Sequence, residues 1–230
     1  MKTITRWLRN ILIFFFTSTV LSVVILKYIP VYITPLMLIR AVESVIDGEV
    51  PVISHEWVPL ERISHNLPQA VMASEDNLFL KHNGFDLEQI QKAQIEAQEG
   101  KRQRGASTIS QQTARNVFLW QKRSWLRKGL EAYFTFLIEA IWGKERIMEV
   151  YLNSIEMGKG IYGAKAVADI NFNTTPDKLT KQQSALVAVS LPNPLKRDSA
   201  HPTPKLRKMQ QTILKRMNQI DQFPRDVCAR

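Results

Sequence analysis

Cysteine is almost absent from this chain, which has 230 residues and one cysteine, Cys228. A single cysteine excludes an intramolecular disulfide framework, and no spacing of Cys and His residues is typical of a zinc site. Internal repeats and low-complexity tracts are also missing. The content of 45% hydrophobic and 23% charged residues excludes a wholly disordered or collagen-like protein. The length fits one catalytic-sized domain, alone or with an anchor.

Acidic residues are scarce relative to basic ones. The chain has 21 Asp and Glu against 31 Lys and Arg, which gives a net charge of +10. Residues 101–130 contain basic residues and no Asp or Glu. This balance favours an anionic partner, such as nucleic acid, a membrane surface or a phosphorylated substrate. The alternative is a solvated basic face, which is the commoner meaning of a charge run.

An uncharged apolar run at residues 11–26 follows a basic N-terminus. Because Lys27 can snorkel towards lipid headgroups, a membrane helix is predicted over residues 11–33. The basic residues place 1–10 in the cytoplasm as a short tail and everything after the helix outside it, which argues against nucleic acid. A cleaved signal peptide is the alternative, and it is disfavoured because no small-x-small site follows the run.

The rest of the chain divides into a linker and a helical domain. Residues 34–66, with Pro51 and Pro59, are interpreted as a stem. Helix starts after it are indicated by side chains that commonly cap α-helices, namely Asp86, Ser107 or Thr108, and Ser124. Strand signals are few, so the domain at 67–230 is predicted to be mainly α.

Glu75 is a candidate acid–base residue. It is four residues from both Val71 and Phe79, so in a continuous helix it shares their apolar stripe, whereas Asp76 points away. A buried carboxylate is costly unless it is paired or functional, and burial raises its pKa, which suits a general base near neutral pH. The alternative is a Glu at the edge of the stripe, salt-bridged to another helix. His82 is more typical of a structural hydrogen bond than of catalysis.

Ser, Thr and Gln side chains cluster at residues 105–116. Such donors near a helix start, backed by Arg and Lys, are consistent with a phosphate cradle, although the Walker spacing is absent. Phe118, Trp120 and Trp125 lie among the basic residues. Stacking on nucleic-acid bases is less expected for them than core packing or membrane contact.

A second carboxylate, Glu131, follows Arg123 and Arg127 at four-residue intervals along one predicted helix stripe. An ion pair between Arg127 and Glu131 explains part of this pattern, and the other arginine stays available for an anion. Two carboxylates in contrasting surroundings are typical of divided acid–base and electrostatic roles.

These segments together resemble the peptidoglycan glycosyltransferases of glycosyltransferase family 51. Its first motif, Glu-Asp-x-x-Phe-x-x-His-x-Gly-x-Asp, is matched in full, and the second is matched with Arg115 where the family has Lys. Arg115 keeps the cation but changes its geometry. A second departure, Asp-Ile-Asn-Phe at 169–172, leaves local packing in doubt. In order, the five motifs fall on residues 75–86, 105–116, 127–131, 144–153 and 158–163.

The resemblance implies a mainly α, lysozyme-like, bilobal glycosyltransferase domain preceded by one transmembrane helix. It implies polymerisation of lipid II into β-1,4-linked glycan strands, with inversion at the donor sugar and release of undecaprenyl pyrophosphate. Glu75 is the expected general base and Glu131 the second catalytic carboxylate. The substrate-binding residues carried over are Asp76, Phe79, Ser107, Thr108, Gln111, Gln112, Arg115, Asn116, Arg123, Arg127, Lys128 and Asn153.

Neither Ser-x-x-Lys nor Lys-Thr-Gly occurs in the chain. The transpeptidase half of many family members is therefore missing, and no transpeptidase activity is expected. The chain is most similar to the monofunctional biosynthetic branch of Gram-negative bacteria, with a single-pass inner-membrane anchor and a periplasmic domain. Expected partners are lipid II, nascent glycan on undecaprenyl pyrophosphate, membrane lipids, and cell-division or wall-synthesis proteins, and not nucleic acid. The resemblance leaves room for a divalent cation, Mg²⁺ or Mn²⁺, at the pyrophosphate and assigns no other cofactor or metal ligand.

Two other functions stay open. A lysozyme-like fold with one key Glu is also suited to glycan cleavage, but cleavage has no pyrophosphate to bind, and the acid-free basic stretch argues against it. A membrane-anchored scaffold with a dead site is the non-enzymatic alternative, and the intact pair Glu75 and Glu131 counts against it.

Overall fold

The computed structural model describes residues 2–100 and 107–229, which form ten α-helices and one three-stranded sheet. The helices are α1 (Lys2–Tyr28), α2 (Pro35–Ile46), α3 (Asn66–Glu75), α4 (Leu87–Gln98), α5 (Ile109–Phe118), α6 (Trp125–Ile141), α7 (Lys144–Ser154), α8 (Gly163–Phe172), α9 (Lys181–Ser190) and α10 (Pro204–Arg216). The strands are β1 (Ser54–His55), β2 (Glu156–Gly158) and β3 (Ile161–Tyr162), and 3₁₀ turns lie at Leu60–Arg62 and Pro176–Lys178. The prediction of a mainly α chain with one N-terminal apolar helix is confirmed.

Side-chain caps begin the helices that carry the candidate site. Thr108 accepts a hydrogen bond from the amide of Gln111, whose side chain accepts one from the Thr108 amide, which makes a capping box for α5. Asp86 accepts from the amide of Gln89 at the start of α4, and Ser124 caps α6 in the same way. The predicted caps are therefore confirmed, with Thr108 rather than Ser107 beginning α5. Each cap satisfies an amide that the helix itself leaves unpaired.

The helix that carries Glu75 is shorter than the sequence predicted. α3 ends at Glu75, and Asp76 has the non-helical backbone angles φ −159° and ψ 81°. The expected stripe continuing to Phe79 is therefore wrong, because Phe79 lies in the turn that follows. The carboxylate of Asp76 bonds to His82 and to the amide of Ile109, which takes the chain out of the helix.

Two groups of helices make up the core. In one group α9 packs against both α3 and α10, and in the other α5 packs against both α6 and α7. α3 ends where the two groups meet, so Glu75 lies beside α5. In the sheet, β3 pairs in parallel with β1 and antiparallel with β2.

The segment predicted to be a stem is part of the folded domain. Thr34 caps α2, and Leu36 and Met37 of that helix form a buried cluster with Tyr162 of β3. β1 then joins the sheet, and the following apolar residues enter the main core at Val58, Leu60 and Ile63. The interpretation of 34–66 as a stem is therefore wrong, because the partners of its short apolar stretches are distant in sequence.

α1 is long and apolar enough, by length and composition, to cross a membrane over Thr3–Tyr28. Residues 2–10, predicted as a tail, are helical and continuous with it. The helix ends at Tyr28 and not at the predicted Ile33. Pro30 explains this end, because proline lacks an amide donor and disfavours helix in the residue before it.

The last turns of α1 are bonded to the rest of the fold. Nε1 of Trp142 donates to the carbonyl of Val23 at 2.7 Å. The guanidinium of Arg146 donates to the carbonyls of Leu26 at 2.8 Å and Ile29 at 2.7 Å. These carbonyls belong to the helix C-terminus, where a cation is favourable. α1 therefore does not hang from the domain by a loose linker.

Candidate active site

A cleft of about 500 Å³ opens beside the end of α3. It brings together residues from the first two predicted motifs and from the C-terminal end of α10. The residues around it are Ser74, Glu75, Asp76, Asn77, Asp86, Gln89, Ser107, Thr108, Arg216, Gln219 and Ile220. Polar side chains predominate, which suits a hydroxylated or charged ligand.

Glu75 is the last residue of α3 and is partly buried. Nε2 of Gln112 donates to its Oε2 at 3.0 Å, and Oγ of Ser74 donates to its Oε1 at 3.3 Å. Burial raises the pKa of Glu75, while these two hydrogen bonds and the charge of Arg197 oppose the rise. The carboxyl group is thus held in place and binds a proton more readily than an exposed glutamate.

Asp76 joins the two motifs that line the cleft. Both of its carboxylate oxygens lie 2.9 Å from Nε2 of His82, and Oδ2 accepts the amide of Ile109 at 3.0 Å. The side chain is buried and already engaged on every side. Asp76, predicted to bind substrate, lines the cleft and also bonds His82, which makes the structural hydrogen bond that the sequence favoured.

Gly84 fixes the turn between these motifs. Its φ is +90°, a region that favours glycine, and a Cβ atom there would lie 2.7 Å from Cγ2 of Thr135. Its carbonyl accepts the hydroxyl of Thr108 at 2.7 Å. A glycine is required because the backbone approaches α6 closely while it binds the cap of α5.

A cationic cluster lies along α6 and its neighbour α5. Glu131 is buried, with Oε2 2.6 Å from Nη1 of Arg127 and Oε1 2.5 Å from Nζ of Lys128. Arg127 is buried, whereas the side chain of Lys128 is 47% exposed. One carboxylate therefore holds an interior cation and a cation that reaches the surface.

Arg115 adds a further cation to this cluster. Desolvation lowers the pKa of its guanidinium, and the nearby charge of Glu131 opposes that effect. Within residues 2–100 and 107–229, the buried Nε of Arg115 has no hydrogen-bond partner. Its position on α5 is one turn from Gln112, so the contact to Glu75 and the cationic cluster are neighbours on one helix face.

Arg123 lies before the start of α6 and is exposed. The prediction that Arg123, Arg127 and Glu131 share one helix stripe is therefore wrong at its first member. Ser124, which caps α6, separates Arg123 from the helix. The first two residues of α6, Trp125 and Leu126, are also exposed, and Trp125 has 94% of its surface accessible.

Several residues predicted to bind substrate are interior. Asn153 is fully buried and forms three hydrogen bonds: it accepts the amide of Val58 and donates to the carbonyls of Val58 and Glu149. Other predicted substrate-binding residues are buried as well, among them Phe79, Thr108, Gln111 and Asn116. Thr108 also lines the cleft.

Ser107 is half-buried at the cleft, and its carbonyl lies 3.5 Å from Nε2 of Gln112. The basic residues Lys101, Arg102 and Arg104, and Gly105 of the second motif, lie outside the described residues. The described part of the basic stretch is therefore 107–130, which contains α5, the first residues of α6 and the segment between them.

Sequence reasoning missed four residues around Glu75. Ser74 bonds to it, Arg197 acts on it through charge, and Arg216 and Gln219 line the same cleft. Their contacts bridge more than a hundred residues of sequence, except for Ser74. An adjacent serine was the only local signal, and serines are too common next to glutamates to carry a prediction.

The donor atoms of the cluster do not suit a divalent cation. Within residues 2–100 and 107–229, no group of three or more His, Cys, Asp or Glu side chains is arranged to hold a metal ion. Glu131, the carboxylate nearest the cations, already bonds Arg127 and Lys128. The described ranges therefore offer the Mg²⁺ or Mn²⁺ considered from the sequence no cluster of three such side chains.

Comparison with known proteins identifies a family. The sequence model described as "Transglycosylase" matches residues 45–218. Three relatives named biosynthetic peptidoglycan transglycosylase come from Bacteroides thetaiotaomicron, Caulobacter vibrioides and Pseudomonas syringae. The first is 59% identical over 223 residues, covering 97% of this chain and 90% of that protein. The second is 52% identical (84% and 83% covered) and the third 44% identical (96% and 93% covered).

Proposed function

The chain belongs to the transglycosylase family and is a peptidoglycan glycosyltransferase; on this premise we propose that it polymerises lipid II into β-1,4-linked glycan strands. The donor would lose undecaprenyl pyrophosphate with inversion at its anomeric carbon. The observation that carries this assignment is on α5, where Gln112 bonds the carboxylate of Glu75 and Arg115 faces the cationic cluster one turn away. A base and a cationic leaving-group site are therefore adjacent.

Glu75 serves as the general base in this reaction. Its carboxylate takes the proton of the acceptor's 4-hydroxyl, and that oxygen forms a bond to the anomeric carbon of the donor. The bond from this carbon to the pyrophosphate oxygen breaks, and its electron pair leaves with the pyrophosphate. Partial burial suits the base, because burial raises the pKa of Glu75 and a carboxylate with a raised pKa is a stronger proton acceptor.

The cations stabilise the charge that builds on the leaving pyrophosphate. Lys128 and Arg123 are exposed and reach the surface, and Arg115 stands behind them with an unpartnered Nε in the described structure. Glu131 fixes Arg127 and Lys128 in advance, so little reorganisation is needed during the reaction. Glu131 thus acts on the leaving-group side, whereas Glu75 acts on the acceptor.

We also propose a place for the enzyme in the cell. α1 would anchor it once in the bacterial inner membrane, with the basic N-terminus in the cytoplasm and the catalytic domain in the periplasm. The bonds from Trp142 and Arg146 to the end of α1 support an anchor over a cleaved leader. The exposed Trp125 at the start of α6 is consistent with a domain close to lipid.

A polymerisation assay tests this function. The full chain in detergent is given labelled lipid II, and the product is separated by length. Glu75→Gln keeps the shape of the side chain and removes the basic oxygen, so polymer formation should fall by roughly 10²–10⁴-fold. Glu61→Gln makes the same change on an exposed carboxylate and should leave the rate unchanged.

The same assay separates the competing functions. Release of fragments from preformed glycan, without growth from lipid II, would assign the domain to glycan cleavage. Wild-type protein that does neither would fit a scaffold. Polymerisation by Glu75→Gln at the wild-type rate would reject the proposed base while leaving the family unchanged.

A further inference from the structure

Tyr151 lies in the interior behind the proposed base. It belongs to α7 and is fully buried, and its hydroxyl donates to Oε1 of Gln112 at 3.3 Å. The other end of the same amide donates to Oε2 of Glu75 at 3.0 Å. Three residues from three helices thus form one chain of hydrogen bonds that ends on the carboxylate facing the cleft.

The chemistry of the three groups determines which group donates and which accepts in each of these hydrogen bonds. A carboxylate only accepts hydrogen bonds, so Glu75 requires the amide nitrogen of Gln112 to face it. The amide oxygen must then point to Tyr151, whose hydroxyl can satisfy it only by donating. Burial raises the pKa of Tyr151 well above its usual value, and the charge of Glu75 raises it further. The hydroxyl therefore keeps its proton at every pH at which the enzyme works.

We propose that Tyr151 is a positioning residue for Glu75: by holding the Gln112 amide it fixes the direction of the carboxylate and keeps a donor on it. This role rests on the proposed function of Glu75 as the base. Hydrogen bonds to the ionised form lower the pKa of a carboxyl group. The bond from Gln112 therefore limits the increase in the pKa of Glu75 that burial causes. It favours the ionised form of the base without exposing it to solvent.

Loss of the hydroxyl has a defined consequence. In Tyr151→Phe the oxygen of Gln112 has no donor in the interior, so the amide turns or shifts and its bond to Glu75 weakens. The pKa of Glu75 then rises, and its carboxylate samples more directions. The turnover number should fall by about tenfold at neutral pH, less than on removal of the base itself, with KM unchanged.

Tyr162 provides a matched control. It is also fully buried, but the charges that act on its hydroxyl are those of Glu156 and Arg40, and no bond joins it to Gln112 among the described residues. Tyr162→Phe therefore removes the same atom from the same kind of environment without touching Gln112. It should leave both the turnover number and its pH dependence as in the wild type.

Two measurements test the role. The first is the pH dependence of polymerisation, whose acidic limb should move to higher pH in Tyr151→Phe and not in Tyr162→Phe. The second is a carbon-13 NMR titration of the Glu75 carboxyl, assigned by comparison with Glu75→Gln, which should give a raised pKa in Tyr151→Phe. Superimposable profiles and titrations for Tyr151→Phe and wild type would overturn the proposal.

Gln112→Met removes the middle residue of the hydrogen-bonded series from Tyr151 to Glu75. It also serves as the test variant if Tyr151→Phe fails to fold. It keeps the length of the side chain and should move the acidic limb in the same direction. Added to Gln112→Met, Tyr151→Phe should cause no further change in the profile. Independent, additive shifts would mean that Tyr151 does not act through Gln112. The titration reports on Glu75 without turnover. An active Glu75→Gln would therefore reject the role of Glu75 as the base, while the titration would still show whether Tyr151 controls its pKa.

Discussion

Nη1 of Arg127 lies 2.6 Å from Oε2 of Glu131, and both side chains are buried along one face of α6. The four-residue spacing of the two residues predicted this pair. The second bond of Glu131, to the half-exposed Lys128, could not be assigned by spacing alone. Burial gives the pair its importance, because neither charge can be satisfied by water if the other is removed.

Glu131→Gln should therefore destabilise the fold. Without the carboxylate, the buried Arg127 keeps its charge and loses its counterion, which should cost about 3 kcal/mol in the free energy of unfolding. Lys128→Ala breaks the other bond of Glu131 but removes an exposed group, so its cost should stay below about 1 kcal/mol. Denaturant unfolding measures both, and equal stability of Glu131→Gln and wild type would contradict the buried-pair argument.

The exposed cations should matter for rate more than for stability. In the proposed reaction, Arg123→Ala or Lys128→Ala removes a charge that stabilises the leaving pyrophosphate, so turnover should fall by roughly 10²–10³-fold. Lys122→Ala, at the neighbouring exposed position, is the matched control and should retain turnover. If all three variants polymerise at the wild-type rate, the basic stretch is a solvated face.

The raised pKa of Glu75 predicts two opposite pH effects. Activity should rise with pH through an apparent pKa above the ordinary glutamate value of about 4.3, because only the ionised carboxyl accepts the proton. Stability should fall over the same interval, since a group with a raised pKa binds more protons in the folded than in the unfolded state. Its contribution is fully present below the ordinary value and lost as pH passes the raised one.

Glu75→Gln separates these effects. The variant should lose activity at every pH, and its unfolding free energy should no longer decline across that interval. At neutral pH it should be at least as stable as wild type, because a neutral amide replaces a partly buried charge. Thermal unfolding followed at several pH values gives the comparison, and an identical pH dependence in both proteins would contradict the assigned shift.

Asn153→Ala should act on the fold and not on substrate binding. It removes three buried hydrogen bonds and leaves the amide and carbonyl of Val58 unpaired, at a cost of about 2–4 kcal/mol. The KM for lipid II in the folded fraction should not change. An increase in KM with an unchanged free energy of unfolding would instead support the prediction from the family motif that Asn153 binds substrate.

The sequence was informative wherever the signal was local. Thr108, Asp86 and Ser124 begin helices because their side chains bond amides three residues ahead, and such caps can be read from spacing. Arg127 and Glu131 were paired for the same reason. The mainly α architecture follows from many such short-range signals that agree with one another.

The errors occur where a distant partner decides the structure. α3 stops at Glu75 because Asp76 bonds a residue of α5, and nothing near Glu75 predicts that contact. The short strand at Ser54–His55 was read as part of a stem because β3 lies more than a hundred residues away. The burial of Glu75 was expected from a helix stripe that continues to Phe79, but the helix ends at Glu75, and Gln112 of α5 contacts the carboxylate instead.

The guanidinium that closes the end of α1 has a mechanical consequence. Arg146 lies on α7, two residues after the helix begins, and grips the carbonyls of Leu26 and Ile29. A flexible linker would let the cleft lie at many distances from the lipid. A lipid-linked glycan would then meet the cleft at the correct distance only part of the time. Because these hydrogen bonds hold α1 against the domain, the distance between the cleft and the membrane surface is fixed. In the proposed membrane setting, the growing glycan strand would then meet Glu75 at one distance from the lipid.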